Sequence, residues 1–192
     1  MKALYNIFNL ILNFENTTKV AIDKNHALQI LGSVVSKKPE NILEVGIGTG
    51  FITKTLFYGI LYNNIGKLTC VDNWYDFGGV VPNGIEELED AGINIINSNE
   101  YDFVKTCKDN TYDFLVSDGD HHNSGTWVDE YLRIVKNDGF MYFHDTNNKY
   151  FKNMGLVESR IKELNIPYFQ FKTKTRTDEN CDIGLLFAIN KK

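Results

Sequence analysis

Short apolar runs bounded by turn residues recur along the chain, and between them apolar residues repeat at helical spacing. Asn41–Val45 (NILEV), Lys67–Val71 (KLTCV), Ile93–Ile96 (INII), Tyr112–Ser117 (YDFLVS) and Phe140–His144 (FMYFH) predict five buried strands. Phe51–Tyr62, Gly84–Ala91, Tyr101–Lys108 and Gly125–Val135 predict the helices between them. Strand–helix–strand alternation needs crossover connections, and these lay the strands parallel. The C-terminal part is different. Met154–Leu164 predicts a helix that stops near Pro167, Tyr168–Thr173 alternates, and Asp182–Asn190 is a further β run. With the polar stretch Lys174–Cys181 between them, the last two runs predict a hairpin, and so one antiparallel strand.

At the other end, Leu4, Ile7, Phe8, Ile11 and Leu12 mark an amphipathic helix within Met1–Phe14. Asn6, Asn9 and Asn13 interrupt it, so it is too short and too polar to span a bilayer and is expected to pack on the body. No repeat, low-complexity linker or composition break divides the 192 residues. We expect one domain over 1–192, with an N-terminal helical extension (1–38) leading into an α/β core (39–192). A hydrophobic content of 43% supports a sizeable core and excludes disorder as a whole-chain description. Twenty basic against 25 acidic residues, a net charge of −5, argue against a nonspecific nucleic-acid binder. Cys70, Cys107 and Cys181 are too scattered for a disulfide framework or a cysteine zinc site; reduced thiols and a cytoplasmic setting are expected.

The sharpest chemical signal is Glu44-Val-Gly46-Ile-Gly48-Thr-Gly50, on the turn between the first predicted strand and its helix. Glycines there allow a tight turn and let a ligand approach backbone N–H groups near a helix N-terminus. A dinucleotide fingerprint would need glycine at position 51, where the chain has Phe51. Asp72 closes the second predicted strand, where a carboxylate can accept hydrogen bonds from ribose hydroxyls; the alternative is a solvated loop residue. Trp74 and Tyr75 follow, as walls of a ligand site or as packing aromatics. Ser98 and Asn99 end the third strand, where asparagine also suits the N-cap of a helix over Glu100–Lys108. After the fourth strand comes Ser117-Asp118-Gly119-Asp120-His121-His122, and after the fifth His144-Asp145-Thr146-Asn147. The carboxyl ends of parallel strands form the ligand crevice of an open α/β sheet, so both clusters fall at the edge that carries the glycine loop. Carboxylates with nearby imidazole suit a divalent ion, magnesium or manganese before zinc. The same residues are also good turn and cap chemistry. His122 reads as a neighbour only, and His26 as a surface or core histidine without a role.

The acidic-x-G-x-G-x-G segment resembles motif I of the class I S-adenosylmethionine (SAM) dependent methyltransferases. That resemblance implies a Rossmann-like, doubly wound seven-stranded sheet, mostly parallel, with one antiparallel strand near the C-terminus and helices on both faces. It implies SAM as cofactor, with Gly46, Gly48 and Gly50 under its methionine part and Glu44 placing the loop and the amino group. It puts Asp72 on the ribose, Ser98 and Asn99 near the adenine in place of the family's usual acidic residue, and Asp118 at the cofactor's side. Asp-Gly-x-His followed by a later aspartate resembles the metal-dependent O-methyltransferases of macrolide sugars and, more distantly, the catechol-type enzymes. Carried over, Asp118 and Asp145 are metal ligands and His121 is the general base. The sugar enzymes have a glutamate ligand where this chain has His144, and the catechol type has asparagine where it has Thr146. The expected activity is O-methylation of a small molecule or sugar, assisted by Mg2+ or Mn2+, with no nucleic-acid or membrane partner. The competing readings are a dehydrogenase on the same fold, opposed by Phe51, and a non-catalytic relative, opposed by the intact glycine loop and Asp72.

Overall fold

The structure, a computed structural model, describes residues 23–174 and 181–191. The helix expected within Met1–Phe14 and most of the Lys174–Cys181 connection lie outside the described residues. The first helix, α1 (Lys24–Lys37), starts at Asp23, whose carboxylate accepts the Asn25 N–H, and buries Ala27, Ile30, Leu31 and Val34 along one stripe. Then follow β1 (Asn41–Val45), α2 (Phe51–Asn63), β2 (Lys67–Asp72), the short α3 (Glu86–Asp90), β3 (Asn94–Asn97), α4 (Glu100–Thr106) and β4 (Tyr112–Ser117). The chain continues through α5 (Val128–Ile134), β5 (Val135–His144), α6 (Gly155–Glu163), β6 (Tyr168–Lys174) and β7 (Asp182–Ile189).

One seven-stranded sheet has the order β3-β2-β1-β4-β5-β7-β6. β1 to β5 pair in parallel, and β7 runs antiparallel to both β5 and β6. The late β pair is thus the expected hairpin, but its antiparallel strand lies inside the sheet, with β6 outermost. Alternate strand residues feed two cores. Ile42, Phe114, Val116, Tyr142 and Leu185 face α1 and α2, whereas Leu43, Leu115, Met141, Phe143 and Leu186 face α5 and α6.

β5 begins at Val135 instead of Phe140, because Val135 pairs with Tyr112 across a register shift that precedes Phe114↔Phe140. The polar Lys136–Gly139 stretch falls between the predicted helix and strand and is carried as strand by this pairing. The helix expected over Gly125–Val135 is a 3-10 turn, Ser124–Trp127, running into α5. No helix among the described residues is long and apolar enough to cross a membrane.

Candidate active site

The glycine loop leaves β1 at its carboxyl end, and its glycines are there for different reasons. Gly46 has φ +88°, and a Cβ on it would collide with the backbone of Asp118 and Gly119. The loop after β1 and the loop after β4 therefore touch backbone to backbone. Gly48 has φ +52°, yet a Cβ there would meet nothing within 4 Å, so this glycine faces open space.

Asp72 holds the loop in shape. Its Oδ2 accepts the N–H groups of Ile47 (2.8 Å) and Gly48 (2.9 Å), and its Oδ1 accepts that of Trp74 (2.6 Å). Trp74 is buried and its Nε1–H donates to the Gly48 carbonyl at 3.1 Å, so it packs and ties the loop from below. Tyr75 beside it is 82% exposed. Asn99 takes the cap position: its side chain accepts the Asp102 N–H at 3.1 Å. Ser98 is half-buried next to it.

Two carboxyl groups lie beneath this half of the site. Glu44 is fully buried on β1, beside the Cys70 thiol and Thr53 hydroxyl, and neither oxygen is in an aligned hydrogen bond among the described residues. Burial pushes its carboxyl up to about 8 against the opposing pull of that thiol and hydroxyl, and the charges of Asp118 and Asp72 add to the rise. Glu100, the first residue of α4, lies against Gly119 and accepts the Asp120 N–H at 2.8 Å. Burial pushes it up to about 8 as well, against the opposing pull of that hydrogen bond.

The second half of the site is a cluster of Asp118, His121, His144 and Asp145, whose ligand-capable atoms all lie within 4.8 Å of one another. β4 delivers Asp118 and β5 delivers His144 and Asp145, as adjacent parallel strands ending at one edge. His121 Nε2 is 3.2 Å from Asp118 Oδ1 and 3.0 Å from Asp145 Oδ2. His144 Nδ1 is 2.8 Å from the same Asp118 oxygen and 3.3 Å from the same Asp145 oxygen. Despite these distances, His144 Nδ1 makes no aligned hydrogen bond. The four groups therefore converge on a shared point more than they pair off, an arrangement suited to a cation. Burial opposes charge on His121 and His144, but the carboxylates outweigh it and push both imidazoles up to about 10. Burial likewise opposes charge on Asp145 and Asp118, and the imidazoles win and hold both below the usual carboxylate range.

The surroundings fix these groups. Asp145 has φ 56°, a left-handed backbone that turns its side chain back over the strand end. Its Oδ1 accepts from Asn148 Nδ2 at 2.9 Å, which leaves Oδ2 to the histidines. The His121 ring stacks on Phe151 with centroids 4.7 Å apart, and the exposed His122 meets the same phenyl edge-on.

The structure thus brings Asp118, His121, His144 and Asp145 together, and Gly46 with Gly119. It leaves Ser98 and Asn99 on the far side of Asp72, and it buries Glu44 under α2. Two residues escaped sequence reasoning. Glu100 looks like an ordinary first-turn acid, favourable at a helix N-terminus. His26 lies on the apolar stripe of α1, and only the fold shows that its ring meets His144 edge-on, centroids 5.5 Å apart. Burial pulls His26 down to about 4, helped by the charge on His144.

Comparison with known proteins gives the site a context. The sequence model of a family described as a methyltransferase domain matches residues 43–146. Among solved structures, the chain is similar to an O-methyltransferase from Bacillus cereus in complex with SAH. The TM-score is 0.72 at 14% identity, covering 100% of this chain and 91% of that one. It is also similar to the O-methyltransferase TomG from Streptomyces achromogenes, involved in tomaymycin synthesis and solved with SAM. Here the TM-score is 0.70 at 11% identity, covering 100% and 91%. A SAM-dependent O-methyltransferase from Thermotoga maritima matches with a TM-score of 0.64 at 14% identity, covering 97% of this chain and 71% of that one. No curated protein matches.

Proposed function

The chain belongs to the methyltransferase-domain family, and from that premise we propose that it transfers the methyl group of SAM to a hydroxyl of a small molecule or sugar. One observation carries the reading: the contact of Gly46 with Gly119 sets the glycine loop against the loop that bears Asp118 and His121. A donor lying along the first loop is then beside a base on the second. The names of the structural neighbours, several of them O-methyltransferases and three of them solved with SAH or SAM, support the same assignment.

In this reading Gly48 leaves the approach to the cofactor's methionine part open, while Gly46 and Gly50 let the loop beneath it pack closely on Gly119 and on Ile85 and Leu88. Asp72 shapes the loop and offers its remaining acceptor capacity to the ribose, with Ser98 and Asn99 toward the adenine. Glu44 supports the loop from beneath, and Asp118 borders the cofactor. When bound, SAM would supply an activated methyl group open to in-line displacement by the acceptor oxygen, with the neutral thioether as leaving group. The chain's own part is to align that oxygen and to take its proton on His121, which accepts it in the neutral form. A hydroxyl is a poor nucleophile unless deprotonated, so this proton transfer is the step the protein must assist.

The donor set fits a divalent cation, Mn2+ or Mg2+, held by Asp118 and Asp145 with His144 as third ligand. When bound, such an ion would lower the pKa of the acceptor hydroxyl and replace the imidazolium charge that the carboxylates otherwise hold on His121. On the scatter of its cysteines we place the protein in the cytoplasm, acting as one domain with a helical N-terminal extension. Calorimetry with SAM and SAH, in Mn2+ and in chelator, tests the assignment. Binding of either ligand is expected, and formation of SAH from SAM over a panel of hydroxyl acceptors is expected to stop in chelator. No heat with SAM or SAH at millimolar concentration overturns the cofactor. Full turnover in chelator overturns the metal alone.

A further inference from the structure

His26 stands more than a hundred residues from the β5 cluster, and three contacts make its position there a matter of register. α1 runs antiparallel along β5. Lys37 Nζ, in its last turn, donates to the Asp138 carbonyl at 2.9 Å and lies over the Phe140 ring. Ser33 Oγ and Tyr142 Oη are 2.6 Å apart. Two helical turns before Ser33, His26 meets His144, two residues beyond Tyr142 on the same face of the strand.

The two rings present matching unfilled valences. His144 turns Nδ1 toward Asp118 and Asp145, so its remote nitrogen is Nε2. That nitrogen is buried and has no hydrogen-bond partner among the described residues. His26 is 1% exposed, and its Nε2 faces Thr173 Oγ1 at 3.5 Å. Its Nδ1 is buried and likewise without a partner among the described residues. A neutral imidazole that donates from Nε2 accepts at Nδ1, while a histidine that ligates through Nδ1 donates from Nε2. A phenyl ring would fill the same space with no unpaired nitrogen, so packing does not explain a histidine at position 26.

We propose that His26 is a positioning residue of the site: its Nδ1 accepts the Nε2–H of His144 through one bridging water, and so fixes the ring angle and tautomer that present His144 Nδ1 to the two carboxylates. The consequence for metal affinity rests on the cation reading above; the hydrogen bond itself does not. Partners of the remote nitrogen orient metal-ligating histidines, and their loss costs 10–100-fold in metal affinity.

The test compares His26→Phe, which keeps the ring volume and removes the acceptor, with His26→Asn, whose Oδ1 stands near the place of Nδ1. Two readouts apply to the full chain: Mn2+ binding followed by electron paramagnetic resonance, and the imidazole N–H resonances of His144 in metal-free protein by 1H–15N NMR. In wild type and His26→Asn, a downfield, slowly exchanging His144 Nε2–H signal is expected. In His26→Phe it moves upfield or exchanges away, and Mn2+ affinity falls about 10–100-fold with the melting temperature unchanged or raised. A His144 signal identical in wild type and His26→Phe overturns the proposal, whether or not Mn2+ binds. If the wild type takes up no Mn2+ while the His144 signal still depends on His26, the cation reading fails and the positioning role stands.

Discussion

Glu44, beneath the glycine loop, Glu100, against Gly119 where that loop meets the one after β4, and Asp118 and Asp145, at the ends of β4 and β5, are four carboxyl groups drawn out of water at one edge of one sheet. Burial pushes the first two up to about 8. The second two meet the same penalty and are held below the usual carboxylate range, because His121 and His144 stand against them. Depth alone therefore does not set the charge of this edge. The partner does, and the two halves divide their work accordingly. The glycine-loop half keeps its two buried acids protonated and is rich in backbone donors and acceptors, as suits a large polar cofactor. The β4–β5 half keeps its charges and its protons in close exchange, as suits a step that moves a proton.

The sharpest way to break this division is at His121. His121→Ala is expected to lower kcat by about 10²–10⁴, the usual worth of a general base, while calorimetric affinity for SAM stays within about twofold. A variant that loses cofactor binding in step with turnover would mean that the halves are not separate.

The buried acids of the first half can be tested through stability. Glu44 is ionised in the unfolded chain above about pH 4.5 and in the folded one only above about 8. Between these values the folded state holds the extra proton, so its contribution is fully present below 4.5 and is lost as pH rises through 8. The limiting slope is about 1.4 kcal/mol per pH unit. Denaturant melts of Glu44→Gln across this window are expected to show a flatter pH dependence than wild type. Parallel curves would show that Glu44 is already ionised in the fold.

A smaller effect is expected at Asp72. Asp72→Asn is predicted to weaken SAM binding by about 1.5–3 kcal/mol, the range for a hydrogen bond to a charged group, and to lower thermal stability, since the same oxygens hold Ile47, Gly48 and Trp74. Unchanged cofactor affinity with reduced stability would confine Asp72 to the loop. The smallest effect belongs to Asn99. Asn99→Ala is expected to cost about 1 kcal/mol of stability through its lost cap, and a fall in SAM affinity beyond that would support a role toward the adenine.

Some of this was open to reading in the residues and some was not. β1 and β4 are bounded to the residue because each is an apolar run closed by turn chemistry and buried on both faces. β5 was underestimated because its first half is polar and is held as strand by neighbours distant in sequence. Asp118, His121, His144 and Asp145 could be grouped because parallel strands must end at a common edge. His26 could not, since a single histidine on an apolar helical stripe carries no sign of what lies opposite. Glu100 was hidden in the same way: its sequence position explains it fully as a helix-start acid, and only the approach of Gly119 shows that it lies under the site.

The place of β7 between β5 and β6 sets an order of events during synthesis. The strand that pairs with the outer edge of β5 is the last of the seven described, and His144 is opposite Leu185 within it. The half of the sheet that holds the glycine loop has all its neighbours once β4 has been made, whereas the strand carrying His144 keeps one edge open until residues 182–189 arrive. The loop that would take the cofactor can thus form on a growing chain before the Asp118–Asp145 cluster has a rigid floor, and assembly of that cluster waits for β7. Pulsed hydrogen exchange during refolding would register this as late, joint protection of the β5 and β7 amides, and early protection of β5 alone would contradict it.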